Sequence, residues 1–135
     1  MPNVALRPST GRQYVLTGEI EIGFRNIEDT GVAVQAFKLP FGSQVVGGHL
    51  VVDQAWNTTG AATLSIGDPA VANRYGNAIN LKTGARTALT VTGFVSDGAE
   101  IFVTPTLADT AATQGRARLV VEYIIKDRAH EVQPN

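Results

Sequence analysis

His49 and His130 are the two imidazoles of this chain, and cysteine is absent. Disulfides, thiolate metal sites and thiol nucleophiles are thereby excluded. Asp53 follows His49 by four residues, which in a strand places both on one face about 13 Å apart. That gap is too wide for one shared ion. His130 lies in a polar tail, and a zinc site takes three or four ligands, so no metal site is expected. Ser43, Ser65 and Ser96 carry hydroxyls, but none sits in a G-x-S-x-G elbow. Ser65 alternates with Leu64 and Ile66 and reads as the solvent side of a strand. Glu19 and Glu21 share a strand face, as a glycosidase acid pair would. On an exposed face they are more simply solubilising charge. Asp97, Gly98 and Glu100 offer oxygens without the spacing of a calcium loop. Neither a Walker nor a dinucleotide glycine pattern occurs. The expectation is a protein without catalytic residues, cofactor or metal, and not an enzyme.

The segments that would carry such groups are short and alternate with period two. The clearest is residues 116–126 (RARLVVEYIIK). Ala117, Leu119, Val121, Tyr123 and Ile125 fall on one face, opposite Arg116, Arg118, Glu122 and Lys126, a half-buried strand. Residues 13–24 give a first strand pair or one bent strand, with Ile20, Ile22 and Phe24 aligned and Gly18 at a bend or bulge. Residues 32–39 form the next strand, closed by Pro40 and Gly42. Residues 44–56 are long for one strand, and Gly47-Gly48 can kink or turn them. Asn57 to Gly60 reads as a hairpin connection into the strand of Ala62, Leu64 and Ile66. Residues 69–84 are the least strand-like and suit a long loop with a short helical turn. Regularity resumes with Leu89, Val91, Gly93 and Val95. Asp97-Gly98 is a hairpin signal, since a type I′ turn needs positive φ at both central positions. Residues 100–107 follow, with Pro105 pointing to an edge or a bulge.

Strands at this spacing, with no amphipathic helix of ten residues and no internal repeat, argue for an all-β antiparallel β-sandwich. With about seven to eight strands and one long loop, a jelly-roll-like arrangement is expected. The reading divides the chain into an extended arm (residues 1–12), a single β-sandwich domain (13–126) and a polar tail (127–135). A chain of 135 residues fits one domain and needs no staple to fold.

Charged residues are 17% of the chain, below the usual quarter, while 44% are hydrophobic. Such a surface suits either a covering partner or exposed strand faces rich in Thr and Asn. A net charge of −1 supplies no field toward nucleic acid or an anionic membrane. Arg116, Arg118 and Lys126 share a face, but Glu122 interrupts it. No apolar stretch is long enough to span a bilayer, and no signal peptide is seen, so synthesis in a cytoplasm is expected. Trp56, Phe94 and Phe102 fall near strand ends or on outer faces. They are core if the register shifts by one, and interface anchors otherwise.

Residues 50–68 (LVVDQAWNTTGAATLSIGD), Arg74-Tyr75 and residues 115–128 (GRARLVVEYIIKDR) resemble small structural proteins of tailed bacteriophages, over about residues 45–126. Some of that family are head decoration, or cement, proteins with a jelly-roll fold. The resemblance implies a virion protein on the capsid exterior, bound to the major capsid protein and to itself as a homodimer or homotrimer. The family has no catalytic residues to carry over. Val4, Leu6 and Arg7 of the arm, with Trp56 and Tyr75, are the candidate partner-binding residues. The alternative is a carbohydrate- or receptor-binding β-sandwich of a phage tail or fibre, using Trp56, Asn57, Tyr75 and Asn77. A cupin-like enzyme would need more histidines than this chain has.

Overall fold

Eight strands make up the fold in a computed structural model that describes residues 3, 4, 6, 14–95 and 100–125. They are β1 (Leu16–Gly23), β2 (Val34–Lys38), β3 (Ser43–Gln54), β4 (Ala62–Gly67), β5 (Gly76–Asn80), β6 (Arg86–Ala88), β7 (Glu100–Leu107) and β8 (Arg116–Ile125). There is no helix among the described residues.

The strands form two four-stranded sheets, ordered β1-β8-β3-β6 and β2-β7-β4-β5. Every pairing is antiparallel. First pairs with last, second with seventh, third with sixth and fourth with fifth. The chain is thus one long hairpin rolled up so that β8 meets β3 and β7 meets β4. That is the eight-stranded jelly roll.

Alternation assigns the faces. On β8, Ala117, Leu119 and Val121 are buried, while Arg118, Val120 and Glu122 look outward. β1 contributes Ile20 and Ile22 to the interior, and β3 contributes Leu50 and Val52. The second sheet answers with Leu64, Ile66, Ile101 and Val103, all nearly inaccessible. Each such side chain contributes roughly 1.5–3 kcal/mol on burial.

Two glycines are required by geometry. Gly48 has φ +131°, and a Cβ there would lie 2.2 Å from the Val120 carbonyl oxygen. It follows a bulge between Val45 and Gly47, so the glycine pair kinks one strand and does not end it. Gly115, at φ +152°, lies so flat on Trp56 that a Cβ would come within 2.4 Å of the ring. Gly18, by contrast, is no bulge. The β1–β8 register runs unbroken, and the missing side chain leaves room for the Phe37 ring.

Several expectations are corrected. Residues 69–84 contain β5, not a helical turn. Its bulge sets Ala78 at φ 49°, and the Ala78 amide donates to Ser65 Oγ. Residues 57–60 are not a hairpin, since β3 and β4 lie in different sheets. The Asp97-Gly98 turn lies outside the described residues, but the strands flanking it, β6 and β7, also belong to different sheets. Residues 85–95 hold only the three-residue β6, followed by an isolated bridge from Val95 to Gln44. Pro105 sits on an inner strand, yet past the point where β2 pairing stops. Its carbonyl there accepts from the Gly31 amide, and the next outward amide, of Leu107, donates to Thr30 Oγ1. The missing N–H therefore breaks no ladder bond.

Candidate functional site: two unlike ends of the sandwich

The topology sorts the loops onto two ends. Residues 24–33, 55–61, 81–85 and 108–115 gather at one. Residues 39–42, 68–75 and 89–95 gather at the other, with the start of β1 and the end of β8.

The first end is stitched shut. The Asn57 carboxamide donates to Thr113 Oγ1 at 2.7 Å and accepts from the Thr113 and Gln114 amides. The Thr59 amide donates to Thr110 Oγ1, and Lys82 Nζ donates to the carbonyls of Thr58 and Gly60. Backbone bonds join Phe24 to Gly115, Trp56 to Leu81 and Ala108 to Ala61. Trp56 is the plug beneath them, 2% exposed. Its indole N–H meets no acceptor among the described residues, so the ring holds this end by packing.

At the second end Asp68 braces its own loop, and the Thr90 amide, donating to the Tyr75 carbonyl, ties that loop to residues 89–95. Asp68, buried, accepts from the amides of Ala70 and Val71 and from Arg74 Nε at 2.5 Å. The Arg74 guanidinium lies 3.6 Å over the Phe94 ring, a cation–π contact. Tyr75, 3% exposed, sits next in the chain. Burial first, and then the Asp68 carboxylate, hold its phenol above the ordinary 10.0, with Arg74 opposing.

Around this brace the second end is apolar and uncovered. Tyr14 is 75% and Phe41 76% exposed, and Val15, Val71, Val91 and Val95 are also exposed. The register explains how these side chains meet. Leu16 opposes Tyr123, which sets Val15 beside Ile124. Ile124 opposes Gln44, and Gln44 bridges to Val95. Val15, Ile124, Gln44 and Val95 therefore make a row across the outer face, without a charge in it. Tyr14 and Phe41 flank the row.

Further along that face, charge returns in compensated form. Asp53, pushed out by a second bulge in β3, accepts from Arg118 Nε at 2.8 Å and Nη2 at 3.2 Å. This hydrogen bond chiefly holds the Asp53 carboxyl below its ordinary 3.8 and lifts the arginine. Glu19 stands 3.7 Å from the same guanidinium. His49 is engaged by Arg86 Nη2 at 3.2 Å. His49 and Asp53 are thus taken by different arginines. Among the described residues, no group of three His, Cys, Asp or Glu side chains could hold a metal ion.

The candidate contact residues separate. Val4 and Leu6 are almost wholly exposed, and Arg7 lies outside the described residues. Trp56 and Tyr75 are corrected: both are interior, so neither offers a face to a partner. Of the two options for Trp56, core is the one realised, because it lies in the β3–β4 connection, where strand alternation does not apply. Asn57, the other half of a sugar platform, spends its amide on the β7–β8 loop. Sequence reasoning missed Tyr14, Phe41 and Asp68. A large aromatic beside Pro40 and Gly42 was the available signal for Phe41.

No family model and no curated protein matches the chain. Solved structures do. A chain of the cyanophage Pam1 capsid asymmetric unit matches with a TM-score of 0.69 and 21% identity, covering 93% of this chain and 99% of that one. A chain of the capsid of Ralstonia phage GP4 gives 0.63 and 19%, over 93% and 88%. A chain of the acid-stable capsid of Helicobacter pylori bacteriophage KHP30 gives 0.59 and 16%, over 90% and 97%. The likeness is one of fold. It spans nearly whole chains.

Proposed function

We propose that this chain is a structural virion protein of a bacteriophage. More narrowly, it is a decoration or cement protein that binds the outer surface of the head and stabilises contacts between major capsid protein subunits. One observation carries the reading: three jelly rolls matching at least 90% of this chain all come from phage capsids. The surface agrees with it. On the outer face Arg118 is paired with both Asp53 and Glu19.

In this reading the chain is made in the host cytoplasm and joins the particle as a homodimer or homotrimer, without nucleic acid or membrane. The arm makes the capsid contact. Val4 and Leu6 are presented to solvent. Several modest contacts per particle then sum to firm attachment.

The test is occupancy. Heads of the encoding phage, stripped of this protein, are mixed with the full chain or with one lacking residues 2–12, and sedimented. The full chain is expected to saturate the heads and the shortened one to bind at least tenfold more weakly. A full chain that stays in the supernatant overturns the head assignment. Equal binding by both removes the arm from it.

A further inference from the structure

We propose that the free edge of β1 is a docking site for an extended segment of another protein, one that alternates basic and apolar residues and joins the sheet as an added antiparallel strand. This does not rest on the virion reading.

Hydrogen-bond parity identifies the open groups. The Phe24 amide donates to the Gly115 carbonyl, and the β1–β8 register runs unbroken up to that pair. Even-numbered residues of β1 therefore turn their amides and carbonyls to β8, and odd-numbered ones turn theirs outward. At Gly23 Asn26 takes both outward groups. Its carboxamide oxygen accepts from the Gly23 amide at 2.7 Å, and its own amide donates to the Gly23 carbonyl. At Thr17, Glu19 and Glu21 no described residue does the same.

The four edge strands are not alike. β6 has three residues, and β2 and β5 have five each with a bulge in their pairing. Short and bulged edges resist pairing with another chain. β1 has eight residues, without bulge, proline or lysine. An edge of that kind accepts a strand.

Side chains select the occupant. Thr17, Glu19 and Glu21 are exposed on the outer face, and residues 14–24 hold no lysine or arginine. Two β1 edges laid together would set these carboxylates against their like, which disfavours a second copy. A strand with Lys or Arg at the matching positions is favoured instead. Its alternate residues point the other way, into the gap between the sheets. There Ile20, Ile22, Val34 and Val103 line a cavity of about 90 Å³, bordered by the exposed Glu21 and Gln35. That lining suits a small apolar side chain.

The experiment uses the full chain with the end-blocked peptide Lys-Val-Lys-Val-Lys-Val-Lys, read by amide hydrogen exchange and by anisotropy of the labelled peptide. At saturation, exchange at Thr17, Glu19 and Glu21 is expected to slow at least tenfold. At Gly23, already capped by Asn26, it is expected to stay unchanged. The same peptide N-methylated at its lysines, whose amides would face β1, should bind at least tenfold more weakly. So should a peptide with Glu in place of Lys. The substitutions Glu19→Lys, Glu21→Lys should weaken the basic peptide by a similar factor, with Trp56 fluorescence showing that the fold is kept. If that signal is lost, Glu19→Gln, Glu21→Gln takes their place. Absence of binding overturns the inference. Equal binding by the N-methylated or the acidic peptide does so as well. Binding seen only after removal of residues 2–12 gives the edge to the chain's own arm, and also overturns it.

Discussion

The two ends of this sandwich solve the same problem in opposite ways. Each must finish off four strands per sheet and satisfy the backbone of the loops between them. At the stitched end the loops do this for one another: Asn57, Thr59 and Lys82 each reach a different loop from their own. At the apolar end Asp68 satisfies its own loop, one backbone bond and one cation–π contact tie that loop to residues 89–95, and valines and aromatics are left facing water. The first arrangement consumes its polar groups internally and has little left to bind with. The second has spent fewer and carries the exposed apolar area. The contrast teaches that exposed apolar area collects where fewer side-chain hydrogen bonds run between loops.

Four measurements break or sharpen this contrast. The largest effect belongs to Trp56→Ala, which opens a cavity under the stitched loops and is expected to cost about 3–5 kcal/mol in urea unfolding. Phe41→Ala, measured at a concentration where the chain is monomeric, should shift stability by no more than about 0.5 kcal/mol. Similar losses from both would erase the distinction between the ends. Next is Asp68→Ala. It removes a buried acceptor of two amides and a guanidinium, at about 2–3 kcal/mol. Hydrogen exchange should rise at Ala70 and Val71 and stay unchanged at Thr113. Exchange rising at Thr113 too would mean that the ends are coupled.

Asn57→Ala follows, at about 1 kcal/mol, because the amides it releases lie near solvent. Faster exchange of the Thr113 and Gln114 amides is the expected sign, and unchanged exchange would show that the stitches hold nothing. The smallest effect is alkaline. The Tyr75 phenol is raised in the folded state, so the folded chain keeps a proton that the unfolded chain releases above 10.0. Its contribution is intact below that pH and is lost as pH climbs through the higher folded value. Tyr75→Phe should flatten this part of the stability curve. An identical decline in both proteins would place its cause elsewhere.

Much of the scaffold was legible in the residues. Alternation over 116–125 assigned the buried face of β8 correctly, and of the two options for the glycine pair, a kink or a turn, the kink is the one realised. The errors share one cause. Turn chemistry reports local chain reversal, but in a jelly roll nearly every connection leaves one sheet for the other. Asn57 to Gly60 has a hairpin composition and joins two sheets. The one sequential pair that stays within a sheet, β4 and β5, is joined by residues 68–75, whose turn is made by a side chain, Asp68, at long range for any dipeptide signal. The likeness to phage proteins drew on these very residues, Asp68, Arg74 and Tyr75, and they brace a loop. They mark the fold, and the apolar end had to come from the register, since Val15, Ile124, Gln44 and Val95 are scattered along the chain.

The position of β8 bears on how the molecule comes into being. It is the last of the described strands along the chain, yet it lies in the middle of its sheet, between β1 and β3. Until Ile125 has emerged, β1 has no neighbour in its sheet and β3 has only the three residues of β6. Closure of the sandwich therefore waits until β8 has been made, and translation interrupted before it would yield open, sticky fragments in place of smaller folded ones.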